Sequence, residues 1–143
     1  MNMIDFKIYV LPFVIIAVAN FVLSWLYYSP MAPWFRTWQI AVGADTDRTE
    51  MTEEEKKAMP RLMGGAVIGS FLLSYGLQLI IHNINARNFM SGAIVGIILW
   101  VGFAVTHSLN TQFEGRKPIV LVINNGLYLL TYAIFGGIIA IMI

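Results

Sequence analysis

Four long apolar runs, separated by short polar breaks, organise this chain. No Asp, Glu, Lys or Arg occurs in 8–35, 62–86, 88–113 or 119–143. A helix that crosses a bilayer needs about 20 apolar residues, so each run is long enough for one. Membrane β-strands would alternate over segments of about 10 residues, and these runs do not. The pattern predicts an all-α integral membrane bundle of four transmembrane helices near 6–28, 62–82, 89–110 and 118–142, in one domain over 1–143. The stretch 29–61 is predicted to be a short interfacial and cytoplasmic helical loop.

That loop has its own pattern. Pro30 ends the first helix, because a proline disfavours helical geometry in the residue before it. Trp25, Tyr27, Tyr28, Trp34 and Trp38 crowd around this break. Tryptophan and tyrosine prefer the headgroup layer, so they predict an anchor, with 33–41 lying along the surface. Thr52 and Glu55 have the spacing of a capping box. They predict a short helix from 53, kinked at Pro60. The acidic run 45–55 reads as a solvated face.

Composition narrows the class. The chain is 58% hydrophobic and 12% charged, with mean hydropathy +0.71, whereas soluble domains carry about 25% charged residues. The first partner is therefore the lipid bilayer. The net charge is +1 with no basic run, so no nucleic-acid partner is expected. There is no cysteine, which excludes disulfides, thiolate catalysis and Cys-ligated metals. Ala17-Val18-Ala19 has the form of a signal-peptidase site. Asp5 offsets Lys7 and Pro12 interrupts the run, so the first helix reads as retained. Arg36, Arg48, Lys56, Lys57, Arg61, Arg116 and Lys117 flank one side, against Lys7 and Arg87 on the other. By the positive-inside rule, loops 29–61 and 111–117 are cytoplasmic and both termini lie outside an inner membrane.

Small residues four apart let helix backbones approach closely. Gly65 with Gly69, Gly92 with Gly96, and Gly136 with Ala140 form such stripes. They predict close packing, with the third and fourth membrane helices nearest in the outer half. They also support a homo-oligomer, a dimer first. Ser70, Ser74, Gln78 and His82 make a polar stripe along the second membrane helix.

The remaining polar residues gather near the cytoplasmic ends. Asn20 and Ser24 share a face of the first helix. Trp100, Phe103, His107 and Asn110 share a stripe of the third, and Asn124, Tyr128 and Thr131 a face of the fourth. An unpaired amide or imidazole in hydrocarbon is unfavourable by several kcal/mol, so such groups turn inward. They predict either interhelical bonding or a polar cavity, with Asn20, Trp100, His107, Asn124 and Tyr128 converging and Arg116 at the mouth. His82 and His107 fall at opposite membrane faces, so no metal or haem site is expected and no cofactor. The membrane segments hold no carboxylate or lysine, which argues against a small proton-coupled drug antiporter.

Several of these residues lie in short motifs. The first helix ends in Trp25-Leu26-Tyr27-Tyr28-Ser29-Pro30, followed by Trp34 and Trp38. Then come Trp100-Val101-Gly102-Phe103, Phe113-Glu114-Gly115-Arg116 and Ile123-Asn124-Asn125-Gly126-Leu127-Tyr128. In this order they resemble an uncharacterised membrane family, domain of unknown function family 1761, over nearly the whole chain. The family pattern has one Asn before the Gly; here it is doubled, and Asn124 keeps the spacing to Tyr128. The resemblance implies a four-helix membrane protein and no particular activity. The functional expectation is a binding or transport module for a small polar or amphipathic molecule. The alternative is an accessory subunit with no ligand, acting through helix packing and the 30–60 loop. An enzyme is the weakest reading, since His107 with Asn110 lacks a nucleophile.

Overall fold

The computed structural model describes residues 4–47 and 50–143; Arg48, one of the basic residues used for orientation, lies outside them. Five helices follow in order: α1 Val10–Tyr27, α2 Phe35–Val42, α3 Glu53–Asn83, α4 Phe89–Glu114 and α5 Pro118–Met142. Among the described residues there is no strand. α1, α3, α4 and α5 are long and apolar enough to cross a membrane. Their outer faces stay apolar, with Ile68, Leu72, Ile98 and Val122 all more than half exposed. Soluble proteins rarely leave so large an apolar belt uncovered; it is the mark of a membrane protein.

Two helix starts differ from the sequence expectation. α1 begins at Val10 rather than 6, and Pro12 falls in its first turn, where backbone N–H groups have no helical partner anyway. α3 begins at Glu53 rather than 62. The Thr52 hydroxyl accepts from the Glu55 N–H (3.2 Å), and the Glu55 carboxylate accepts from the Thr52 N–H (2.8 Å). The helix then continues through Pro60 without a break. Pro60 and Lys56, four residues before it, are exposed, so the carbonyl that proline leaves unpaired meets solvent. At about 1.5 Å per residue, α3 is roughly 46 Å long, against about 30 Å of hydrocarbon. Its charged first turns therefore extend past the apolar zone, and the loop shrinks to 43–52.

α5 packs against α1, α3 and α4. Its tightest neighbour is α4. A Cβ on Gly92 would fall on the Gly136 carbonyl oxygen and 2.5 Å from the Ala140 methyl carbon, and one on Gly96 would fall on the Tyr132 carbonyl. These small residues are spent inside the chain. Gly65 and Gly69, by contrast, face open space.

The polar stripe of α3 faces α1 and ties the two together. Asn20 donates to the Ser70 hydroxyl (2.8 Å), and Ser74 donates to the Phe13 carbonyl (2.9 Å). The Gln78 carboxamide clasps Tyr9, accepting its N–H (2.7 Å) and donating to its C=O (3.1 Å). Asn83 clasps Asp5 in the same way, at 2.8 and 2.9 Å. Between the clasps, His82 lies 2.9 Å from the Asp5 carboxylate and 3.1 Å from the Tyr9 hydroxyl. Residues 5–9 thus form an extended strap along the last turns of α3. Backbone groups of Asp5 and Tyr9 are satisfied by residues 78 and 69 positions later, which no local pattern announces.

Candidate functional site

A cavity of about 930 Å³ opens at the end of the fold that carries the 43–52 loop. Four elements wall it: α1 from Asn20 to Tyr28, α3 from Met59 to Leu73, α4 at Phe103 to His107, and α5 from Leu127 to Tyr132. Trp38 of α2 closes its rim, with its ring 5.0 Å from that of Tyr28. The volume exists because α3 diverges here. Every residue from Arg61 to Gly69 is exposed, whereas Ser70, Ser74, Leu77, Gln78 and Ile81 further along α3 are buried.

The lining is mainly apolar and carries no Asp, Glu, Lys or Arg. Of its polar groups, Asn20 and Ser70 satisfy each other and Thr131 donates to the Tyr128 carbonyl (3.0 Å). Ser24, His107 and Tyr128 are different. They come from three helices, line the same space, and their side chains hydrogen-bond to none of the described residues. His107 offers one donor and one acceptor when neutral, and each hydroxyl offers both. Ser24 is half-buried and His107 and Tyr128 are exposed; beside hydrocarbon such groups want a partner, from water or from a ligand.

The nine residues singled out from sequence divide. Asn20, Ser24, Phe103, His107 and Tyr128 line the cavity; Trp100, Asn110, Asn124 and Arg116 do not. The expected convergence of Trp100 and Asn124 with His107 is therefore corrected. Its cause is a π-helical turn, Trp100–Val105, inside α4. A π turn adds one residue to the hydrogen-bond repeat, so positions on either side leave the shared stripe that an α-helix would give them. Trp100 turns to α5 and donates to the Asn125 carbonyl (3.1 Å). The Asn124 carboxamide oxygen accepts from the Tyr28 hydroxyl (2.6 Å). Arg116 pairs with Glu114 (3.2 Å) on the surface, and Asn110 is exposed.

These displaced residues form a knot of their own. Tyr27 donates to the Ile123 carbonyl (2.8 Å), with its hydroxyl 2.6 Å from where a Cβ on Gly126 would sit. Gly126 is thus a glycine because Tyr27 occupies the space. Trp34 donates to the Tyr27 carbonyl (3.0 Å), and its ring sits tilted against that of Tyr27 at 4.4 Å. The Tyr27-Tyr28, Trp34, Trp100 and Asn124-Asn125-Gly126 motifs therefore meet at one place, bracing α1, α2, α4 and α5 beside the cavity. Asn125 donates to the Leu121 carbonyl (2.9 Å), while its buried side-chain oxygen has no partner among the described residues.

Sequence reasoning missed the α3 wall. Ser70 offered a signal through its place in the polar stripe, but Met59, Leu62, Met63 and Ala66 look like any lipid-facing residues. Among the described residues, no cluster of His, Asp or Glu could hold a metal ion. The sequence profile of one family, described as Protein of unknown function (DUF1761), matches residues 11–140. No curated protein and no solved structure is similar to the chain.

Proposed function

The chain belongs to the DUF1761 family, and we propose that it is a binding or transport module for an amphipathic molecule taken up from the membrane. One observation carries this reading: a mainly apolar cavity of about 930 Å³ whose wall includes Ser24, His107, Tyr128 and Tyr132, polar side chains from three helices that hydrogen-bond to none of the described residues. Ligand pockets have this composition, mostly apolar walls with a few placed polar atoms, and this size falls at the upper end of the usual range of about 300–1,000 Å³. Packing alone would not leave Ser24, His107 and Tyr128 unpaired beside a void, since the fold satisfies Asn20, Ser70, Ser74 and Gln78 with close partners. By the distribution of Lys and Arg, this mouth lies at the cytoplasmic leaflet.

Native mass spectrometry from mild detergent tests the reading, and the same spectrum reports copy number. The wild-type protein should retain a small amphiphile. His107→Ala should reduce retention while leaving thermal stability close to wild type, because the imidazole bonds to none of the described residues. Equal losses of both, or no retained molecule, would count against binding and favour an accessory subunit.

A further inference from the structure

A second, smaller space lies beside the cavity, a groove of about 160 Å³ further along α3 from the 43–52 loop. Leu73, Phe103 and Tyr132 line both spaces. Beyond them the groove passes between Gly76, Leu77 and Ile80 of α3 and Leu99 of α4. The two spaces differ in chemistry. The wide one holds Ser24, His107 and Tyr128; the narrow one is walled by aliphatic side chains together with Phe103 and Tyr132, and its volume suits one chain. Neither is lined by a charged residue.

That absence selects among headgroups. A carboxylate or phosphate seated here would lose its hydration with no counter-ion to replace it, an unfavourable exchange in low dielectric. A hydroxyl or amide loses less, and can donate to and accept from the three free groups. The rings of Trp25, Tyr28 and Trp38 could attract a quaternary ammonium, but Tyr28 is in ring contact with Tyr27 and Trp38, and Trp38 also with Phe35, which leaves these two rings fewer open faces for a cation.

We propose that cavity and groove are one site for a single-chain amphiphile with an uncharged, hydrogen-bonding head. The head lies among Ser24, His107 and Tyr128, and the chain follows α3 past Gly76 between Ile80 and Leu99. This rests on the amphiphile-binding reading above.

The test uses the full protein in phospholipid nanodiscs and a long-chain monoacylglycerol with a photoreactive diazirine at its chain end. Irradiation should label Leu77, Ile80 or Leu99. Unlabelled monoacylglycerol should compete at least about ten-fold better than a fatty acid carboxylate or an alkyl trimethylammonium of equal chain length. Gly76→Phe should block labelling by the long-chain probe and spare that by a short-chain one. The Gly76 position has nothing within 4 Å of an added Cβ, so the backbone admits a side chain there, and thermal unfolding of the variant distinguishes a blocked groove from a misfolded protein. Saturable labelling that a charged competitor displaces best would overturn the head assignment while leaving amphiphile binding intact. Saturable labelling unaffected by Gly76→Phe would overturn the chain path. Labelling that no competitor reduces would overturn the amphiphile reading itself.

Discussion

Gly96→Ala adds one methyl group at the point where α4 and α5 touch backbone to backbone. The built Cβ would sit on the Tyr132 carbonyl oxygen and 2.5 Å from its carbonyl carbon, where ordinary contact begins at 3.4 Å. No side chain can rotate away, so the helices must separate by more than the 0.9 Å that the carbonyl carbon alone requires, because the oxygen is closer still. A gap of about 0.5–1 Å forfeits roughly a quarter to a half of each dispersion contact across it. Overpacking of this kind costs about 1–3 kcal/mol, partly offset by the gain of about 1 kcal/mol from replacing glycine by alanine in a helix. The net expectation is a loss of up to about 2 kcal/mol, or about 1–3 kcal/mol relative to a variant that has the same propensity gain without the clash, which lowers Tm by several degrees against that variant. Gly65→Ala is the matched control: the same chemistry in a helix, with nothing within 4 Å, so it should be neutral or stabilising. Thermal unfolding of both variants in one detergent, followed by intrinsic fluorescence, decides the matter. If Gly96→Ala is as stable as Gly65→Ala, the close approach of α4 and α5 is wrong.

Tyr28→Phe leaves the Asn124 oxygen without its donor and should destabilise by about 1–3 kcal/mol; a double-mutant cycle with Asn124→Leu should recover most of that loss. The Asp5 carboxyl is held below its usual 3.8 chiefly by the hydrogen bond from His82. Its contribution to the strap is therefore complete above pH 3.8 and fades as pH falls through the lower folded value, so amide exchange at Tyr9 should accelerate in that acid range. Asp5→Asn should remove the pH dependence, and an unchanged profile would mean the strap is held by the carboxamide clasps alone. A reporter that fluoresces only in the cytoplasm, fused after Ile143, should stay dark; a bright signal would reverse the orientation.

The apolar runs made four membrane helices legible because charge is so costly in hydrocarbon that its absence is itself a boundary marker. The Thr52–Glu55 cap was legible for a local reason, the fixed three-residue reach of a first turn. The Gly92–Gly96 and Gly136–Ala140 stripes likewise pointed to the helices they join. Partnership over distance was not legible. Asn20 was grouped with His107 by depth, yet it bonds Ser70, because periodicity gives a face and not the neighbour across it. Trp100 was grouped with His107 because seven residues close two α-helical turns, and the intervening π turn breaks that arithmetic. The strap escaped because Asp5 and His82 are 77 positions apart, and the α3 wall because residues that line a cavity in lipid resemble residues that face lipid.

The ladder of bonds between α1 and α3 has a consequence in time. Asn20 and Ser70 are 50 positions apart, and a ribosome adds about 5–20 residues per second, so roughly 3–10 s separate their emergence. For that interval α1 sits in the bilayer with a carboxamide that has no partner. Tyr9 waits longer still, for Gln78, 69 positions on. α4 and α5 face no such delay, since Trp100 and Asn125 are only 25 apart and the glycine seam joins neighbours. α1 thus depends for its polar contacts on a helix made seconds later. Until then, its bared amide is the nascent chain's exposed flank, open to whatever insertase or protease patrols that membrane.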